Sequence, residues 1–163
     1  MLLKLALGLL TGVTVVPFAA QNTQEDPLLA EIPGLIHLLG SAETAERAAA
    51  ARLLGEIGAP AREAVPGLTK LLADADAEAR RNAAFALGAM GPEAQPALEK
   101  LGALLKDGEW QVRRAAAEAL GQLQDARAES YLKAARKDKH KSVREAVKRA
   151  RKRIKTVKKS KGK

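Results

Sequence analysis

Apolar residues recur in this chain with two nested periods. Within residues 80–91, RRNAAFALGAMG, Ala83, Leu87 and Met90 fall at intervals of four and three, which is one face of an α-helix. The stretch stands 33 residues earlier as RAAAARLLGEIG and 33 later as RRAAAEALGQLQ, with a fainter REAVKRARKRIK 31 residues beyond. Aligned on Arg47, Arg80, Arg113 and Arg144, one column holds Ala50, Ala83, Ala116 and Val147, and another Leu54, Leu87, Leu120 and Arg151. Ile57, Met90, Leu123 and Ile154 form a third; Ala79, Val112 and Val143 a fourth, with Glu46 the exception. Self-similarity at such a period predicts a stacked repeat protein. Small alanines on the shared face let helices approach closely, and alanine and leucine are strong helix formers.

The punctuation agrees. Gly58 and Gly91 stand just past the last periodic residue, where a left-handed helix end is expected, while Gln124 fills the place in the third copy. Gly55, Gly88 and Gly121 lie in the last helical turn, where glycine costs about 1 kcal/mol against alanine. Their recurrence predicts a second backbone passing close by. Six residues before each arginine stands Ser41, Asp74, Asp107 or Asp138, read here as helix N-caps. A second amphipathic run lies between copies, and Pro66 suits the first turn of its helix. The unit is helix, short turn, helix, tight turn.

The pattern D-x5-R-x2-A-A-x-A-L-G-x2-G resembles HEAT repeats, in the short bacterial subtype associated with phycobilisome lyases. The resemblance covers roughly residues 32–154. It implies an all-α fold, a right-handed α-solenoid of stacked antiparallel helix pairs with about four repeats including caps. It also implies an Asp–Arg ladder between repeats, carried by Asp74, Asp107, Asp138, Arg47, Arg80, Arg113 and Arg144 as structural residues.

The expected organisation follows. Residues 1–20 have Lys4, an apolar run over 5–16, Pro17 and small residues before a polar turn, the layout of a secretory signal peptide. The run is short for a membrane span, which needs about 20 apolar residues. Phe18 makes the cleavage site imperfect, so an uncleaved N-terminal anchor is the alternative. Residues 21–31 read as a polar linker, and 32–155 as the repeat domain. That domain divides into a half repeat 32–40, repeats 41–73, 74–106 and 107–137, and a capping helix 138–155. Residues 156–163 read as a basic disordered tail.

The sequence of 163 residues fits one domain, and its net charge of +9 is unevenly spread. Residues 21–132 carry 11 Lys plus Arg against 17 Asp plus Glu; residues 133–163 carry 16 against 2. The basic character therefore belongs to the C-terminal end. Lys148, Arg149, Arg151, Lys152, Arg153, Lys155, Lys158 and Lys159 are candidate polyanion contacts. The stripe of Val143, Val147, Ile154 and Val157 opposite them suits an anionic membrane surface. Lys148 and Arg151, in columns that elsewhere hold Ala and Leu, also fit a last repeat whose outer face must be polar. Nucleic acid ranks below these readings, because no aromatic stacking platform accompanies the charge.

No chemistry stands out. The absence of cysteine removes disulfides, thiol catalysis and thiolate metal sites. His37 and His140 are about 100 residues apart and neither precedes a glutamate, unlike the paired His-Glu motifs of HEAT-like iron hydroxylases. His37 aligns with Lys70 and reads as an exposed polar position. Trp110, the sole tryptophan, sits near a helix start and is a candidate interface residue. No cofactor or metal is expected. The reading is a non-enzymatic, exported protein–protein interaction scaffold, with a phycobilisome-lyase-like accessory factor or a nucleic-acid binder as alternatives.

Overall fold

The computed structural model describes the backbone of residues 27–161 and side chains over 29–157. Residues 1–20, with the expected signal segment, lie outside the described residues. The helices are α1 (Pro27–Ala30), α2 (Ile32–Leu38), α3 (Thr44–Ile57), α4 (Val65–Leu71) and α5 (Ala77–Met90), then α6 (Leu98–Leu104), α7 (Trp110–Gln122), α8 (Ala128–Ala134) and α9 (Lys141–Lys161). Short 3-10 segments, Ala59–Ala64 and Gly91–Ala97, link the helices of the first two full repeats.

Periodicity becomes packing in two layers. The long helices α3, α5, α7 and α9 stack in sequence, and the short α2, α4, α6 and α8 pack behind them. Leu54, Leu87 and Leu120 from the long layer and Leu68, Leu101 and Leu132 from the short one are fully buried between them. The fold is an all-α, HEAT-like solenoid. Fully burying such a leucine stabilises by about 1.5–3 kcal/mol, so one column contributes to every junction it crosses.

Close approach of the long helices explains the recurrent glycines. A Cβ on Gly121 would lie 2.7 Å from the Cα of Ala150, and one on Gly55 or Gly88 would lie 3.0 Å from the Cα of Ala86 or Ala119. Gly58 and Gly91 adopt φ +71° and +61°, with ψ −137° and −133°. That is not the left-handed helical cap expected but the neighbouring region open essentially to glycine alone. Gln124, at the same place in the third copy, also has positive φ, 55°.

Three further sequence expectations need correction. Ser41, Asp74, Asp107 and Asp138 are not the N-caps: the caps of α3, α5 and α7 are Glu43, Asp76 and Glu109, and α9 begins only at Lys141, not at the residue after Asp138. The side-chain oxygens of Asp74, Asp107 and Asp138 instead accept from the backbone N–H two residues on, at 2.8–2.9 Å, forming turns that lead into the helices. Residues 27–30, assigned to the linker, form a helical turn. Finally, α9 continues to Lys161, where the tail was expected to lose structure at residue 156. Ile154 packs into the core and Thr156 bonds back to the Lys152 carbonyl, so the helix is already anchored where its composition turns basic.

Candidate functional site: a ladder, a groove and a basic end

Each long helix begins with an arginine clamp. Arg47 Nη1 donates to the carbonyls of Ser41 and Ala42, both at 3.0 Å. Arg80 Nη1 does the same to Asp74 and Ala75 at 2.9 Å, and Arg113 Nη1 to Asp107 and Gly108 at 2.8 and 3.0 Å. The other edge of each guanidinium crosses to the next repeat as a two-point fork. Arg47 meets Asp74 (Nε–Oδ2 2.7 Å, Nη2–Oδ1 3.1 Å), Arg80 meets Asp107 (2.8 and 3.0 Å), and Arg113 meets Asp138 (2.8 and 3.1 Å). Bidentate geometry and low exposure place these among the strong ion pairs. Arg113, at 4% exposure, is one of the two buried polar residues among those described.

The titration behaviour follows from these contacts. The hydrogen bond from Arg47 holds the Asp74 carboxyl below its usual range. For Asp107 and Asp138, desolvation pushes the other way, but the arginine fork and the backbone N–H of Glu109 or His140 together outweigh it, and both are also lowered. Six of the seven predicted ladder residues thus meet in pairs. Arg144 makes only the carbonyl clamp, to Asp138 and Lys139 at 2.8 and 3.1 Å.

The solvent side of the long-helix layer forms an open groove of about 640 Å³ reaching from α3 to α9. Phe85, 48% exposed, lines it together with Trp110, Ala115, Ala146 and Ala150. Arg52, Arg81, Arg114, Arg149 and Arg153 line it against Glu56 and Glu118, a net positive surface. Below, Asn82 is buried and ties α5 to α3 through its Nδ2 and the Ala48 carbonyl, 3.0 Å apart. Sequence reasoning missed Phe85, Arg81 and Asn82. A signal was present: Arg52, Phe85, Glu118 and Arg149 share one column, and they differ where the structural columns agree.

Trp110 lies at the start of α7, partly buried, with its ring stacked on His140 of the next repeat at 4.0 Å and 8° between planes. One of its faces is thus occupied by His140. His37 is exposed on α2 and remote from His140. Among the described residues, no cluster of three or more His, Asp or Glu is placed to hold a metal ion.

The predicted polyanion contacts divide among different surroundings. Arg149 and Arg153 face the groove, and Arg149 also pairs with Glu118. Arg151 is engaged by Glu129 at 2.6 and 2.9 Å, which lowers the Glu129 carboxyl and raises the arginine. Lys148, Lys152 and Lys155 line an open surface at the C-terminal end. The side chains of Lys158 and Lys159 lie outside the described residues. The apolar stripe expected to face a membrane is otherwise engaged: Val143 and Val147 are fully buried and Ile154 nearly so, in the core shared with α7 and α8. Amphipathic α9 has spent its apolar face on the solenoid. No described helix is long and apolar enough to cross a membrane.

Paired helices stacked in register, one junction repeating the next, define the class as an α-solenoid. Within that class the chain belongs to the HEAT-repeat family, whose model matches residues 32–102 and 98–161. A designed armadillo repeat protein in complex with the peptide (KR)4 superposes with TM-score 0.66 at 20% identity, covering 77% of this chain and 64% of that one. Human deoxyhypusine hydroxylase gives 0.63 at 28%, covering 77% and 43%. The complex of CpcE and CpcF of phycocyanin lyase from Nostoc sp. PCC7120 gives 0.53 at 23%, covering 76% and 99%. The chain therefore spans less than two thirds of the first two structures. No curated protein matches it.

Proposed function

We propose that this chain is a non-enzymatic scaffold module that holds a partner protein in the groove of its long-helix layer, with its basic end making a further contact to an anionic partner. The observation that carries the reading is Phe85. A large apolar side chain stands half exposed in a concave arginine-lined surface, where a partner's apolar group could be buried between guanidinium planes. Structurally similar solenoids bind in related ways: the designed armadillo protein holds a peptide, and the lyase subunits hold each other. The net charge of this groove favours a segment richer in acids than in bases. The likeness to the lyase is one of fold, so a chromophore role has no separate support. The hydroxylase likeness spans less than half of that enzyme.

Export belongs to the same proposal and rests on the layout of residues 1–20. A native chain beginning near Gln21 outside the cytoplasm supports it. An intact Met1 on a membrane would make the module anchored, and an intact soluble cytoplasmic chain would overturn export.

The groove is tested by placing a photo-reactive amino acid at Phe85 and, as a control on the short-helix layer, at Lys70. The reading expects one discrete adduct with another protein from Phe85 and none from Lys70. Equal labelling from both positions would contradict it.

A further inference from the structure

Four arginines begin four long helices in the same pose, and three of them are paired. In each, Nη1 is pinned by the carbonyls five and six residues upstream, with all eight distances between 2.8 and 3.1 Å. At Arg47, Arg80 and Arg113 the pinned guanidinium directs Nε and Nη2 onto the aspartate of the next repeat. Arg144 is pinned identically, but no described residue supplies the aspartate. Its fork is thus an open rung. The side chain already has its orientation restrained by two hydrogen bonds, so less freedom is lost when an acid arrives.

That rung opens onto a surface of matching charge. An open hollow of about 700 Å³ at the C-terminal end is lined by Arg136, Arg144, Lys148, Arg151, Lys152 and Lys155, and by no acidic residue. Arg151 is engaged by Glu129, but Arg136, Lys148, Lys152 and Lys155 are exposed. Positions 144, 148, 152 and 155 advance along one face of α9, and at about 1.5 Å per residue they span roughly 16 Å. An extended segment of about five residues covers that distance. A second copy stacked head to tail does not complete the rung, because the first repeat has Ser41, a hydroxyl, where the others have aspartate.

We infer that the α9 end is a docking site for an acidic segment of a partner protein. One Asp or Glu carboxylate completes the rung at Arg144, and further acids meet Lys148, Lys152 and Lys155. Carboxylate is favoured because the same fork takes carboxylate at every other junction. The inference rests on the reading that the basic end meets an anionic partner, and it names the partner's chemistry and the residue that selects it.

The test is fluorescence anisotropy of a labelled ten-residue peptide of alternating Asp and Gly, titrated with the full chain at physiological ionic strength. Arg144→Lys keeps the charge and removes the fork; Arg62→Lys, at an exposed arginine of the Ala59–Ala64 segment outside both the groove and the basic end, is the matched control. Arg144→Lys is expected to weaken the peptide about fivefold or more, and Arg62→Lys less than twofold. Because Arg144 also clamps two carbonyls, Lys148→Gln/Lys152→Gln serves as a second variant that leaves the clamp intact, and it too should lose affinity. If Lys148→Gln/Lys152→Gln weakens the peptide but Arg144→Lys matches Arg62→Lys, the rung assignment is wrong while the basic-end reading stands; if the peptide binds and neither variant weakens it, both are wrong. If single-stranded DNA or phosphatidylglycerol vesicles bind more tightly than the peptide, the acidic-segment assignment is overturned. If none of the three probes binds, the basic-end reading falls with it.

Discussion

Arg113 and Asp138, 25 residues apart in sequence, face each other across the last junction at 2.8 and 3.1 Å, with side-chain exposures of 5% and 9%. The same contact appears at the two earlier junctions, each time between an arginine that opens one long helix and an aspartate in the turn before the next. One side chain thereby joins three backbone segments: it ties down its own turn through two carbonyls, and it fixes the following turn through a carboxylate that also accepts a backbone N–H.

Removing an arginine from this ladder should therefore cost more than removing a neighbour. Arg80→Ala is expected to lower unfolding free energy by roughly 3 kcal/mol, since it leaves a largely buried carboxylate and two carbonyls without their donor. Arg81→Ala, which removes an exposed pair with Glu78, should stay within about 0.5 kcal/mol. Urea unfolding of both variants measures the contrast.

The ladder also predicts acid sensitivity. Asp74, Asp107, Asp138 and Glu129 all have folded-state pKa values below their unfolded ones. Groups shifted in that direction contribute stability that is fully present above the unfolded pKa, about 4, and lost as pH falls through the folded value. These carboxylates should contribute constant stability from pH 7 to about 5 and lose it below about 4. Asp107→Asn should flatten the acid limb, as read from urea midpoints at pH 7, 5 and 3.

Helix contact sets a steric limit. Gly121→Ala would place a methyl 2.7 Å from the Cα and Cβ of Ala150, and backbone cannot step aside cheaply. A loss of about 1–3 kcal/mol is expected in thermal or urea unfolding, the range for overpacking.

At the end of α7 the opposite change should help. Gln124 adopts φ 55° at the place where Gly58 and Gly91 stand in the other copies. Gln124→Gly relieves the cost of positive φ, and after glycine's greater unfolded-state entropy is subtracted it should gain about 0.5–1 kcal/mol. A rise in melting temperature of a few degrees is the expected readout.

Much of this architecture was legible in the sequence because repetition averages out local ambiguity. Three copies of an alanine–leucine face identify a stacking helix better than one copy can, and glycines at fixed offsets point to close helix contact. What the sequence concealed lay in positions that repetition does not constrain. Asp74 satisfies every composition rule for an N-cap, yet its carboxylate is claimed by Arg47 and a turn N–H, so the cap falls to Asp76 two residues later. The stripe on α9 has the pattern of a membrane-surface helix, but the pattern cannot say that α7 and α8 already cover it. Phe85 was hidden within an alanine-rich helix, since its exposure depends on the groove that four helices make together. Arg151 looked free in the chain and is paired with Glu129, 22 residues away.

The most direct test of the account is a double-mutant cycle on Arg80 and Asp107, the central rung, using Arg80→Ala, Asp107→Ala and the double variant in urea unfolding at pH 7. If these pairs join the repeats, the two residues should show a coupling of at least about 1 kcal/mol, with the double variant losing less than the sum of the singles. Additive losses, with no coupling beyond about 0.3 kcal/mol, would contradict the ladder as the bond between repeats.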